Sequence, residues 1–134
     1  MYEIEVKNTQ TTDGETASVE ERAECSLTLR GGKVYIMYKT VSEDDIVSTT
    51  IIISDSETVI KRSGYASSRM VYREGRETAF SYGTPYGDIP MKLFTSKISS
   101  DFTENGGRLR LVYTLNMQGE KYDNDMVITV RGRL

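Results

Sequence analysis

The chain has no histidine and no tryptophan, and only one cysteine and two prolines in 134 residues. Without histidine, the usual general base, the Ser–His and Cys–His nucleophile pairs and the commonest metal ligand are all missing. The lone Cys25 has no partner for an internal disulfide, which fits a reducing compartment. No window approaches the length of a membrane-spanning helix. The opening MYEIEVKNTQ has two glutamates and no apolar run, so neither a signal peptide nor a membrane anchor is expected. Cytoplasmic is the default location. An excess of positive charge is missing too, since 17 Lys+Arg against 20 Asp+Glu leave a net charge of −3 and a pI near 5.1. Phosphate binding needs a clustered positive field, so nucleic acid is not an expected partner.

What is present is alternation. Turn-forming residues recur along residues 2–130, and the stretches between them alternate apolar with polar, which leaves no room for a substantial helix. At 134 residues this is one domain, 1–134, able to bury a core without staples. Nine Tyr against three Phe suit half-buried pleated surfaces. The clearest hairpin is Arg30-Gly31-Gly32-Lys33. A two-residue Gly-Gly loop favours a type I′ turn, because both positions need positive φ. That turn predicts Leu29 opposite Val34, Leu27 opposite Ile36 and Cys25 opposite Tyr38, all on one face. A one-residue slip would scatter them. Further turns are expected at Thr12-Asp13-Gly14-Glu15, Ser42-Glu43-Asp44-Asp45 and Thr84-Pro85-Tyr86-Gly87. A hairpin around Glu74-Gly75 is expected to join residues 67–72 to 77–82. Leu109, Leu111, Tyr113, Leu115 and Met117 alternate without a break, as do Met126, Ile128 and Val130. The expected fold is an all-β antiparallel meander of about eight to ten strands closed as a barrel, near the size that holds one small ligand. A two-sheet sandwich is the alternative.

Chemistry has few places to sit. Cys25 falls on an apolar face and reads as an inert thiol. The carboxylate pairs Glu20/Glu21, Asp44/Asp45 and Asp123/Asp125 are expected in or near turns, where solvent keeps both members ionised. Asp123-Asn124-Asp125 resembles a fragment of a calcium loop but lacks the glycine and the distant glutamate. The glycine pairs have no helix behind them and are turns, not phosphate cradles. Neither a metal nor a cofactor is expected. Cations at strand positions are more informative. Lys61 and Arg62 are adjacent and point to opposite faces, so a closed wall turns one of them inward, Arg62 with Ile60 or Lys61 with Val59. An inward cation needs a carboxylate, a hydrogen-bonded shell or an anionic ligand. The bland reading is a rim position from which the side chain snorkels into water. Tyr82-x-Thr84-Pro85-Tyr86-Gly87 places two phenols and a hydroxyl at a rigid turn. It serves either as a structural cap or as a contact surface at a barrel mouth.

A set of motifs resembles the bacterial YwiB-like family, a domain family of unknown function with a calycin-like (lipocalin-like) β-barrel. The matching residues are Asp13-Gly14-Glu15, Gly32-x-x-Tyr35-Ile36-x-Tyr38, Thr49-Thr50, Arg62-Ser63-Gly64 and Met70-Val71-Tyr72. They continue through Tyr82-x-Thr84-Pro85-Tyr86-Gly87, Gly106-Gly107-x-Leu109-x-Leu111-x-Tyr113-x-Leu115 and Asn124-x-Met126-x-Ile128. Tyr72 and Met126 stand where the family more often has Phe and Leu. The resemblance implies a calycin-like barrel in a bacterial cytoplasmic protein and brings no activity, ligand or catalytic residue.

Two functions are open at this level. The first is a non-enzymatic module that binds a small, partly apolar and potentially anionic molecule in the barrel, with Arg62 for charge and Tyr82, Thr84 and Tyr86 at the mouth. The second is an interaction or assembly module, such as a homodimer, suggested by residues 46–53, which become apolar on both faces. An enzyme, lacking histidine, would have to rely on Tyr, Arg and carboxylates.

Overall fold

The computed structural model describes residues 1–42 and 44–132. It contains ten strands: β1 (Tyr2–Thr12), β2 (Glu15–Arg30), β3 (Lys33–Ser42), β4 (Asp45–Ile53), β5 (Thr58–Ser63), β6 (Ser68–Tyr72), β7 (Arg76–Thr84), β8 (Gly87–Thr103), β9 (Gly106–Met117) and β10 (Glu120–Gly132). They form one antiparallel sheet in the order β6-β5-β4-β3-β2-β1-β10-β9-β8-β7. β1 lies against β10 in the middle of this sheet, with Tyr2 opposite Gly132 and Thr11 opposite Asp123, which leaves β6 and β7 as its ends. The result is a nearly closed all-β barrel, and no described residue is helical.

The Gly-Gly hairpin has the expected register, with Cys25–Tyr38, Leu27–Ile36 and Leu29–Val34 opposed. Gly31 and Gly32 have φ of 61° and 77°, the left-handed values that a type I′ turn requires. The expected turn at Ser42–Asp45 includes Glu43, which lies outside the described residues. Two expectations need correction. Glu20/Glu21 and Asp123/Asp125 lie inside β2 and β10, not in turns. β6 and β7 also do not form a hairpin. They are the two ends of the sheet, and their seam is tied mainly at its extremities. Ser67 and Gly83 exchange backbone hydrogen bonds of 2.8 Å at one end, and the Gly75 N–H reaches the Thr95 carbonyl at 2.7 Å at the other. Between them, the Thr78 hydroxyl donates to the Val71 carbonyl at 2.7 Å. Glu74 caps the Ile98 N–H at 2.8 Å, beside a bulge between Thr95 and Lys97. A short β6 cannot span its neighbour, so the wall is thinnest there.

Alternation decides which side chains enter the barrel. Ile4, Ile36, Ile51, Ile60, Leu93, Leu109, Leu111 and Ile128 are at most 1% exposed and form one cluster with Tyr72, Met70 and Val130. This core fills the barrel toward the end carrying the Gly31-Gly32 turn. Close approach at that end depends on Gly107, where a Cβ would run into the Asp101 carbonyl and the Phe102 backbone.

Candidate functional site

Strand register places three interior rows across β3–β6: Val34–Ile53–Thr58–Tyr72, Ile36–Ile51–Ile60–Met70 and Tyr38–Thr49–Arg62–Ser68. The first two rows are largely apolar and packed. The third is polar, and beyond it the barrel opens. A cavity of about 680 Å³ lies there, lined by Asp45, Val47, Arg62, Tyr65, Ala66, Ser68, Met70, Phe80, Tyr82, Met91 and Leu115. That volume falls in the range of roughly 300–1,000 Å³ typical of small-molecule sites. Its walls come from both sides of the seam, Ser68 and Met70 from β6, Phe80 and Tyr82 from β7. The interior is thus neither solidly packed nor hollow throughout. A second hollow of about 650 Å³ shares Phe80 and Met91, but its cation, Lys92, is an exposed side chain. The first hollow is the better candidate because its cation faces the interior.

Arg62 is half-buried, and no described carboxylate lies within ion-pairing distance of it. Its charge acts on three buried phenols. Burial pushes the Tyr38 hydroxyl above its ordinary value, and Arg62 pulls it back. Tyr72 is raised well above the usual range by burial and by Tyr113, with Arg62 again opposing. Tyr113 is raised by burial, against its hydrogen bond with Tyr72 and against Arg62. The Tyr72 and Tyr113 rings meet edge to face at 4.9 Å and 74°. Two carboxylates near this layer accept other donors, one of them, Asp45, on the cavity wall itself. Glu21 accepts the Tyr38 hydroxyl at 3.1 Å, and Asp45 accepts the Tyr65 N–H at 2.6 Å. With no ion pair formed among the described residues, the guanidinium donors of Arg62 can meet an anion, in a cavity whose walls apart from Asp45 are mostly apolar.

Of the residues expected at the site, Arg62 and Tyr82 line the same cavity. Thr84 does not. Its hydroxyl donates to the Gly87 carbonyl at 2.8 Å and accepts the Tyr86 N–H at 3.2 Å, so it holds the β7–β8 turn. Tyr86 is 90% exposed and stands outside the lining, but its hydroxyl shares a hydrogen bond with Tyr65, which is the main reason the Tyr65 phenol is raised. Two turns, β5–β6 and β7–β8, thereby meet above the Ser67–Gly83 bridge. Lys61 points outward, as its pairing with Thr50 and Arg69 requires. Arg110 is on the outer face and pairs with Asp125 through bonds of 3.0 and 2.7 Å. Cys25 is half-buried, and burial, helped by Glu3, pushes its thiol up to about 11, far from a nucleophile's range.

Sequence reasoning missed Val47, Met70, Phe80, Met91 and Leu115, the apolar walls. Each lies two positions from an inward residue of its strand, so period-two extension of the core face would have found them. Tyr65 had no such signal, because its placement depends on how the β5–β6 loop folds over the rim; Asp45 is in phase with Val47 and Thr49 but is polar, so a core pattern passes over it.

With this geometry in view, comparison with known proteins is direct. A family model described as Domain of unknown function (DUF1934) matches residues 4–128. The chain belongs to this family. An uncharacterized beta-barrel protein of Bacillus subtilis (strain 168), YwiB, is 27% identical over 130 residues, covering 96% of this chain and 92% of that protein. The crystal structure of the ywiB protein from Bacillus subtilis superposes with a TM-score of 0.91 at 26% identity, covering 99% of this chain and 92% of that one. The chain and this relative share the barrel, and the chain spans nearly the whole of that relative.

Proposed function

We propose that this family member is a non-enzymatic binding module that takes a small, partly apolar anion into the open end of the barrel, with Arg62 as the charge partner. The observation that carries this reading is the inward guanidinium, which has no described carboxylate partner and sits among Val47, Met70, Phe80, Met91 and Leu115. A half-buried cation without a counter-ion is unfavourable in the empty barrel and favourable once an anion arrives. Tyr82 supplies a ring at the rim, and Ser68 a hydroxyl opposite Arg62.

Fluorescence titration with 8-anilinonaphthalene-1-sulfonate, a small aromatic anion, tests this. Saturable one-to-one binding to the native protein is expected. Arg62→Met should weaken it about tenfold or more, the worth of a charge-assisted hydrogen bond, while Arg62→Lys keeps part of the affinity. The uncharged analogue N-phenyl-1-naphthylamine should bind both proteins alike. Equal affinity of wild type and Arg62→Met for the anion, or no saturable binding, would overturn the reading.

A further inference from the structure

The outer surface of β3–β6 is unevenly charged. Its outward strand positions carry Lys33, Lys39, Lys61 and Arg69 and no carboxylate. Lys61 lies directly opposite Arg69, a like-charge pair that destabilises a sheet left to itself. Neither has an ion pair among the described residues. Beside them lie Met37 at 55% exposure, Val41 at 76% and Ile46 at 58%. A cationic face with exposed apolar side chains fits a surface that is acidic and not fully paired.

The same chain carries such a surface. β2 is bonded to β1 along residues 15–25, but its ladder to β3 begins only at Cys25. Residues 15–23 thus form an uncovered sheet edge. It holds Glu15, Glu20 and Glu21 against the single Arg22; Arg22 pairs with Glu20 at 3.1 Å and Glu21 accepts the Tyr38 hydroxyl, so the edge keeps a net negative charge, led by the exposed Glu15, with Val19 68% exposed. Two copies of that edge repel each other, because each carries a net negative charge. The cationic face of a second copy meets it with opposite charge and with apolar side chains for Val19.

We infer that two copies of this chain associate reciprocally, the β2 edge of each lying against the Lys39–Lys61–Arg69 face of the other. The contact uses outward side chains of the wall and the cavity inward ones, so the dimer is tested separately from ligand binding. Sedimentation velocity over a range of concentrations tests it with three proteins: wild type, a face variant (Lys61→Glu with Arg69→Glu) and an edge variant (Glu15→Lys with Glu20→Lys). All these side chains are on the surface, and circular dichroism checks that each variant is folded. Wild type should dimerise, less so as salt rises. Each variant alone should have its dimer dissociation constant raised about tenfold or more. Mixing the two should restore a heterodimer, since both contacts are then complementary again. A monomeric wild type, a dimer indifferent to both reversals, or a mixture that stays monomeric would each overturn the inference, and the first would hand the face to an acidic segment of another protein.

Discussion

Arg62→Met separates binding from folding at one position. In the empty barrel, Arg62 presents a charge to an interior row between Thr49 and Ser68, with no carboxylate partner among the described residues. Replacing buried ionic groups by apolar ones of similar volume is neutral or stabilising by roughly 1–4 kcal/mol. Arg62 is only half-buried and water screens part of its charge, so the lower end applies. Without ligand, Arg62→Met should stabilise the protein by about 1 kcal/mol, or about 3–4 °C in Tm for a domain of this size. Urea unfolding followed by circular dichroism and tyrosine fluorescence measures this, with an unchanged m-value as the check that both end states are preserved. The substitution also removes the positive charge that holds Tyr38, Tyr72 and Tyr113 down, so ultraviolet titration of the phenols should show them ionising at higher pH. If Arg62→Met instead destabilises by 1 kcal/mol or more, as expected of a group that ties the rim together (about the worth of a net hydrogen bond), Arg62 is structural.

Three further outcomes follow from the fold. Gly107→Ala forces a Cβ into the backbone of Asp101 and Phe102, and should lose about 3 kcal/mol or more in chemical denaturation. The raised Cys25 thiol and raised phenols mean the folded protein holds these protons more tightly than the unfolded chain. Their stabilisation is therefore complete below the unfolded-state values and declines as pH rises, first from near pH 9 through the thiol and then from about pH 10 through the phenols. Cys25→Ala should remove the first decline and leave the second, read by urea midpoints across alkaline pH. Asp125 is held below the usual carboxyl value by Arg110, so its contribution is present above the unfolded carboxyl value and is lost as pH falls through its own. Asp125→Asn should flatten that part of the acid limb, while urea midpoints near neutral pH change little because the pair is exposed.

The barrel was legible because the strands keep period two, apart from the bulge between Thr95 and Lys97 in β8, and one turn pinned a register. The Gly31-Gly32 loop fixed Leu27 against Ile36, and the alternation then ran on to Ile51, Ile60 and Met70. That one of Lys61 and Arg62 turns inward was legible, but which one was not, because Val59 and Ile60 are both apolar; the register with Thr49 and Ser68 decides for Arg62. The seam was not legible. Residues 67–72 and 77–82 look like hairpin partners in sequence, but in a closed sheet the two terminal strands meet by geometry, not by turn chemistry. The rim was not legible for the same reason. Thr84 looked like a contact residue, but its hydroxyl is consumed by its own turn, and Tyr65 reaches the cavity through a loop fastened by Asp45.

Backbone amide NMR during titration with 8-anilinonaphthalene-1-sulfonate shows where an anion settles, residue by residue. Shifts confined to Val47, Arg62, Ser68, Phe80, Tyr82 and Leu115, saturating together and vanishing in Arg62→Met, are the predicted result. Shifts scattered over the outer strands, or an unperturbed barrel mouth at saturating probe, would contradict it.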